Sequence, residues 1–365
     1  MLESGVSPMP RSSGRVDIRD IARRARVSTA TVSRTVNCVP TVDPQLAKRV
    51  WSTISELGYY PNTQARALVS GRSRIFGIIV SQITNPFFPE LVQAFESNAV
   101  QHNYEILLTS TENDPTRMEH AVRRMIERRV EGVAVMTFGM EEALLNDLKL
   151  RQIPLVFVDV GPPRPHVSTI RIDYQHGIRQ AVQHLASLQH ENVAFISGPL
   201  QLKSAMARRQ AFARSKDEMG LEAREEWIVE GDHTIEGGMA ALVRLLATTQ
   251  CPTAVMCSND LTAIGVMRKC YEKGIRIPED LSVIGFDDIR LAQFMLPPLT
   301  TVQMSQAELG RLAFLALLTD VERLKPATEG TDYPLRTSLV LRESTAPITS
   351  QKRMLAVRRG RRVAE

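Results

Sequence analysis

The sequence predicts an α/β protein in two parts: a small all-α headpiece, then a larger body built on two parallel sheets. Three observations carry this. Residues 16–61 show helical caps and helical apolar spacing with no strand-like run. From residue 74, short apolar runs alternate with amphipathic stretches. The charge is segregated, +6 over residues 1–73, −6 over 74–350 and +5 over 351–365. A basic head on an acidic body confines a polyanionic partner to one end, which points to nucleic acid.

The bulk properties set limits. A chain of 365 residues can bury two or three cores, and 43% apolar with 23% charged residues is ordinary for a globular protein. The first twenty residues hold no secretory apolar block, and no run approaches the length of a membrane span, so a cytoplasmic location with no membrane partner is expected. Cys38, Cys251, Cys257 and Cys270 show neither CxxC spacing nor a histidine cluster. Reduced, half-buried thiols are expected, with no metal, disulfide framework or cofactor.

The headpiece opens with DIRDIARRA, where Ile18, Ile21, Ala22 and Ala25 share one helical face and Asp17 is placed to cap it. Ser28 then caps TATVSRTVN, whose Val32 and Val36 point inward. Asp43 and Pro44 open a third helix with Leu46, Val50, Ile54 and Leu57 inward, closed by Gly58. Two helices joined by a short turn and braced by a third make a helix-turn-helix, whose second helix enters the major groove. Thr29 and Ala30 are small enough to bring that helix close to base edges, and the Arg34 fork matches guanine. Ser28, Thr31, Ser33 and Asn37 suit phosphates, which position without specifying. The competing reading is a three-helix interaction module.

In YYPNTQARALVSGRSR, Asn62 caps roughly eight residues of helical pattern, too short to be stable alone. Residues 62–73 are therefore expected to be a hinge helix and linker that folds on DNA, with Leu68 wedging between base steps and Arg66 on phosphate. Tyr59 and Asn62, at its entry, join the DNA-contacting set. An inert linker is the alternative.

In the body, the runs RIFGIIVS, YEILLTS, VEGVAVMTF, PLVFVDV, NVAFISG, EWIVEGD, TAVMCS and LSVIGFDD read as strands, enough for two sheets. No GxGxxG follows a strand, and GxxxxGK[ST] and GxSxG are absent. Dinucleotide, nucleotide-hydrolysing and serine-hydrolase chemistry lose their signatures, and no catalytic residue is assigned. Polar residues gather where strands end: Asp159, Asn259, Asp260, Asp287 and Asp288. Such positions either bind ligand or cap the next helix.

Taken together, DIARRARVSTATVSRTVN, YYPNTQARAL, NPFF, GPL…SAMARRQAF, SNDLTAIG, LSVIGFDD and PPLTTV resemble the lactose-repressor/galactose-repressor (LacI/GalR) family of bacterial transcription regulators over about residues 16–345. The resemblance implies a homodimer reading a pseudo-palindromic operator. It also implies a two-lobed, periplasmic-binding-protein-like effector-binding and dimerisation domain over 74–345, with three crossings between lobes. By motif, Thr29, Ala30 and Arg34 fall on base-reading positions and Leu68 on the intercalating one. Phe87, Phe88, Asp159, Arg208, His233, Asn259 and Asp287 fall on positions lining the effector cleft. Arg208 adjoins Arg209, so a solvated basic face is its alternative.

Three features depart from the family. Arg26 stands where the turn usually has glycine. His233 replaces a ligand-stacking aromatic, implying a more polar or acidic effector or a merely structural histidine. The tail, 346–365, lacks tetramerising leucine heptads and reads as a disordered basic extension, with added DNA contact the alternative. The function implied is a sequence-specific repressor, not an enzyme, under allosteric control by a sugar or sugar derivative. The rivals are a sugar-binding protein feeding a transporter and a sugar-modifying enzyme using Asp159 and Asp287.

Overall fold

The computed structural model describes residues 16–37, 39–60, 72–137, 142–159, 161, 163–222, 224–322 and 330–348. The positions of Asn62, Arg66 and Leu68, Cys38, and the tail from 349 onward lie outside the described residues. The chain divides into two compact units, Met1–Ser73 and Arg74–Glu365.

The first unit holds α1 (Ile18–Ala25), α2 (Thr29–Val36) and α3 (Pro44–Glu56). Each begins where a side chain satisfies otherwise unpaired amides. Asp17 accepts from the amides of Arg19 and Asp20, Ser28 from Thr31, and Asp43 from Gln45 and Leu46. Ile21, Ala22, Ala25, Val32, Val50 and Ile54 form the buried core, with Val36, Leu57 and Tyr59 packed at its margin. Two inward positions differ from the apolar pattern: Thr35 and Thr53 are buried, while Val36 and Leu46 are only half-buried. Thr35 can go inside because its hydroxyl donates to the Thr31 carbonyl at 2.9 Å. Arg26 closes α1 at φ 51°, in the left-handed region. The Arg49 guanidinium reaches from α3 to the carbonyls of Ala25 and Arg26, satisfying acceptors at that helix end.

The second unit runs β1 (Ile75–Val80), α4 (Phe87–Gln101), β2 (Glu105–Ser110), α5 (Pro115–Glu127), β3 (Gly132–Met136), α6 (Glu142–Leu150), β4 (Leu155–Val158) and β5 (Val167–Asp173). It continues with α7 (Tyr174–Ser187), β6 (Val193–Ser197), α8 (Lys203–Glu218), β7 (Ile228–Glu230), α9 (Ile235–Leu246), β8 (Ala254–Cys257) and α10 (Asp260–Glu272). Last come β9 (Ser282–Asp287), β10 (Thr300–Gln303), α11 (Gln306–Glu322), β11 (Asp332–Arg336) and β12 (Ser338–Val340).

Two six-stranded sheets result, ordered β11-β5-β4-β3-β1-β2 and β12-β10-β9-β8-β6-β7. All pairings are parallel except β12 with β10, so the second sheet is mixed rather than purely parallel. The chain passes between sheets at β5 to α7, at β10 to α11 and at β11 to β12. Phe76, Ile78 and Ile79 in β1 and Val283, Ile284 and Phe286 in β9 are fully buried, as strands covered on both faces require. In the second lobe α9 and α10 touch backbone to backbone. A Cβ on Gly265 would stand 2.0 Å from the Ile235 carbonyl oxygen, and one on Gly238 2.2 Å from that of Thr262. Cys251, Cys257 and Cys270 are buried, not half-buried, filling core volume as small apolar groups do.

Candidate DNA interface and ligand cleft

In the headpiece, α2 turns a polar arc outward. At about 100° per residue, Thr29, Ser33, Asn37, Ala30 and Arg34 fall within about 140° of one another, opposite buried Val32 and Thr35. Thr29, Ala30 and Arg34 are exposed, and Ser33 and Asn37 are half-buried beside them. Ser28 and Thr31 are tied together, their hydroxyls 2.9 Å apart, with the Thr31 amide donating to Ser28 Oγ at 3.0 Å. The helix thus offers a free N-terminal turn, small side chains and one cation. Tyr59 is half-buried, packed at the margin of the headpiece core.

In the body, one cavity of about 200 Å³ is lined by both lobes. Ser81, Asn85, Phe87, Phe88 and Thr137 come from the first lobe; Arg208, His233, Asn259 and Asp287 come from the second. Asn85 Oδ1 accepts from the Phe87 amide at 3.0 Å, fixing the start of α4. The two phenyl rings then stand edge to face at 5.3 Å.

Arg208 is the electrostatic centre. It is buried where neighbouring Arg209 is exposed. Its Nη1 donates to the Ser258 carbonyl at 2.5 Å and its Nη2 to Asp287 Oδ1 at 3.3 Å, while Nε is buried without a partner. The guanidinium lies 4.1 Å from the Phe286 ring centre and 5.3 Å from that of Tyr174. Burial raises the Asp287 carboxyl to about 6, against the opposing pull of Arg208. Burial, then Arg208, lowers His233 to about 3, so its imidazole is neutral. Asp159, His233, Asp287 and Asp288 all hold left-handed backbone, a strain typical of functional sites.

The strand-end residues separate into different roles. Asn259 both lines the cavity and caps α10, accepting from the Thr262 amide at 2.9 Å. Asp260 is fully buried, bonded to the Thr301 hydroxyl at 2.6 Å and the Ile289 amide at 2.8 Å, and is a structural tie. Asp288 pairs with Arg342 at 2.6 Å. Asp159 does not line the cavity. It accepts from the Ile172 amide at 2.8 Å and borders a separate hollow with Thr169, Arg171 and Asp332. Tyr174, which begins α7 at the first crossing, lines the cavity and its side chain hydrogen-bonds to Asp159.

Sequence reasoning missed Tyr174, Ser81, Asn85, Thr137, Ser204 and Asp232, all of which line the cavity. Asn85 and Ser204 carried a signal, as the polar residues opening NPFF and SAMARRQAF. Among the described residues no cluster of histidine, cysteine, aspartate or glutamate is placed to hold a metal ion. No described helix is long and apolar enough to cross a membrane.

Comparison with known proteins places these features in context. Residues 17–62 match the family described as bacterial regulatory proteins, lacI family, and residues 182–345 match the periplasmic binding protein-like domain. The chain is 35% identical to the HTH-type transcriptional repressor PurR of Aliivibrio salmonicida over 84% of its own length and 92% of that protein. It is 36% identical to catabolite control protein A of Priestia megaterium over 83% of its length and 92% of that protein. The lac repressor dimer bound to operator and the anti-inducer ONPF superposes with a TM-score of 0.80 at 28% identity, covering 91% of this chain and all of that one.

Proposed function

The chain belongs to the lacI family of bacterial regulatory proteins, DNA-binding transcriptional repressors governed by small-molecule effectors, and from that premise we propose how its two units divide the work. The protein is a regulator rather than an enzyme. Two copies pair, as in the lac repressor dimer, and act on chromosomal DNA in the cytoplasm. Each α2 lies in the major groove of one half of a pseudo-palindromic operator. Thr29, Ala30 and Arg34 read bases, Ser28, Thr31, Ser33 and Asn37 hold phosphates, and residues 62–73 form the hinge, with Leu68 entering the minor groove.

The effector is a compact, hydroxyl-rich molecule of monosaccharide size. One observation carries this reading: a single cavity takes its lining from both lobes, with the Arg208–Asp287 pair on one side and Phe87 and Phe88 on the other. A ring with polar edges and an apolar face suits such a lining. Because the chain crosses between lobes three times, a ligand touching both biases their separation, and coupling of about 1–3 kcal/mol to the DNA state is typical. The test is retardation of promoter fragments by the purified protein at low salt, with and without sugars. Specific retardation that a ligand shifts supports the reading, and a failure to retard its own promoter under every condition refutes it.

A further inference from the structure

His233 is the cleft side chain whose placement the fold controls most closely. A Cβ on Gly198 would stand 1.9 Å from its Nε2 and 2.2 Å from its Cε1, so the ring packs directly against glycine backbone. Nε2 lies 2.8 Å from the hydroxyl of fully buried Ser258, the same residue whose carbonyl holds Arg208. The His233 carbonyl accepts from Asn259 Nδ2 at 3.1 Å. The imidazole is therefore pinned with one nitrogen committed to Ser258. Its Nδ1 remains as the hydrogen-bonding atom of a side chain that lines the cavity.

The charges around it point the same way. Among the described residues, the ionisable ones lining the cleft besides His233 are Arg208, Asp287, Asp232 and Tyr174, whose phenol burial keeps protonated. Arg208 is already answered by Asp287 at 3.3 Å, Asp232 adds a carboxylate that accepts from Thr234, and the imidazole is neutral above about pH 4. Among the described residues lining the cleft, none supplies a spare positive charge to offset the desolvation of an anion.

We propose that His233 is a specificity-determining residue, its free ring nitrogen bonding a hydroxyl of an uncharged polyhydroxylated ligand while the cleft rejects carboxylated and phosphorylated analogues. This rests on the cavity being the effector site. Of the alternatives stated for a histidine here, a more polar effector, an acidic one or a merely structural role, it selects the first.

The experiment is isothermal titration of the full chain with neutral aldopentoses and aldohexoses, the matching uronic acids and sugar phosphates, and free nucleobases. A neutral sugar should bind at least tenfold more tightly than its acid or phosphate. His233→Phe, which keeps the ring but loses its nitrogens, and Gly198→Ala, which displaces the ring, should each weaken that sugar about tenfold. His233→Asn should retain more affinity than His233→Phe. Preference for an acid, a phosphate or a nucleobase, absence of binding by every compound, or an unaffected His233→Phe overturns the proposal. Arg208→Met separates the two readings. A ligand that survives it is not in the cleft, and the cleft assignment itself falls. One lost with Arg208→Met but indifferent to His233→Phe leaves the cleft and removes only the role of His233.

Discussion

Replacing Arg208 by methionine removes a buried guanidinium while keeping a flexible apolar stem against Phe286, and its cost can be worked in two parts. The first part does not depend on pH. The Ser258 carbonyl loses its 2.5 Å partner, and an orphaned buried acceptor costs about 1–3 kcal/mol. The second part is electrostatic and bounded. In the intact protein Asp287 sits at about 6 instead of 3.8, so its folded form binds the proton more tightly than the unfolded chain does. Stability from this group is therefore greatest below about pH 4 and is lost as pH rises toward 6, amounting to about 3 kcal/mol at pH 7.

Without Arg208 the carboxyl stays protonated to higher pH, and keeping it neutral at pH 7 costs about 4 kcal/mol relative to the unfolded chain. The difference, on the order of 1 kcal/mol at pH 7, vanishes near pH 5, where both proteins carry the proton. Arg208→Met should thus cost about 2–4 kcal/mol at pH 7 and less at pH 5. Adding Asp287→Asn should recover part of the loss at pH 7 and little at pH 5. Urea unfolding of the body at both pH values measures this. An equal cost at pH 5 and pH 7, or strict additivity of the two substitutions, refutes the reasoning.

Arg34→Ala should leave the headpiece folded but flatten the ranking of operator variants, losing roughly 1–3 kcal/mol of discrimination at one base pair in retardation assays. Binding by the intact protein should also weaken steeply with salt, since phosphate contacts release counterions. Arg26→Gly relieves a side chain held at φ 51° and should raise headpiece stability by about 1 kcal/mol in thermal unfolding. Gly265→Ala forces a methyl against the Ile235 carbonyl, which is backbone and cannot swing aside. It should destabilise the body by about 1–3 kcal/mol or more in the same assay.

The eight strands recognised from sequence, β1 to β4 and β6 to β9, are continuous apolar runs flanked by turns, so their signal is local. The missed ones are not. In β5, Ser168 and Arg171 interrupt the run, and β10 (TTVQ), β11 (DYPLR) and β12 (SLV) are short or polar. They become strands because a neighbour supplies the hydrogen bonds: β11 pairs with β5, and β12 lies antiparallel on β10. The headpiece was legible almost throughout, since Asp17, Ser28, Asp43 and Pro44 act within a few residues of themselves.

The cleft divides along the same line. Arg208 was distinguishable from Arg209 only by motif; its burial depends on Phe286 and Ser258, 50 or more residues away. Tyr174 had no signature at all, yet it lines the cleft beside Asp159, because the first crossing between sheets brings it there. Residue chemistry and local spacing suffice for caps, helical faces and apolar strands, whose energies are paid within one turn or one run. Which polar groups meet, and therefore which carboxylate is raised and which histidine stays neutral, follows from crossings that join distant segments. No window along the chain contains both halves of those pairs.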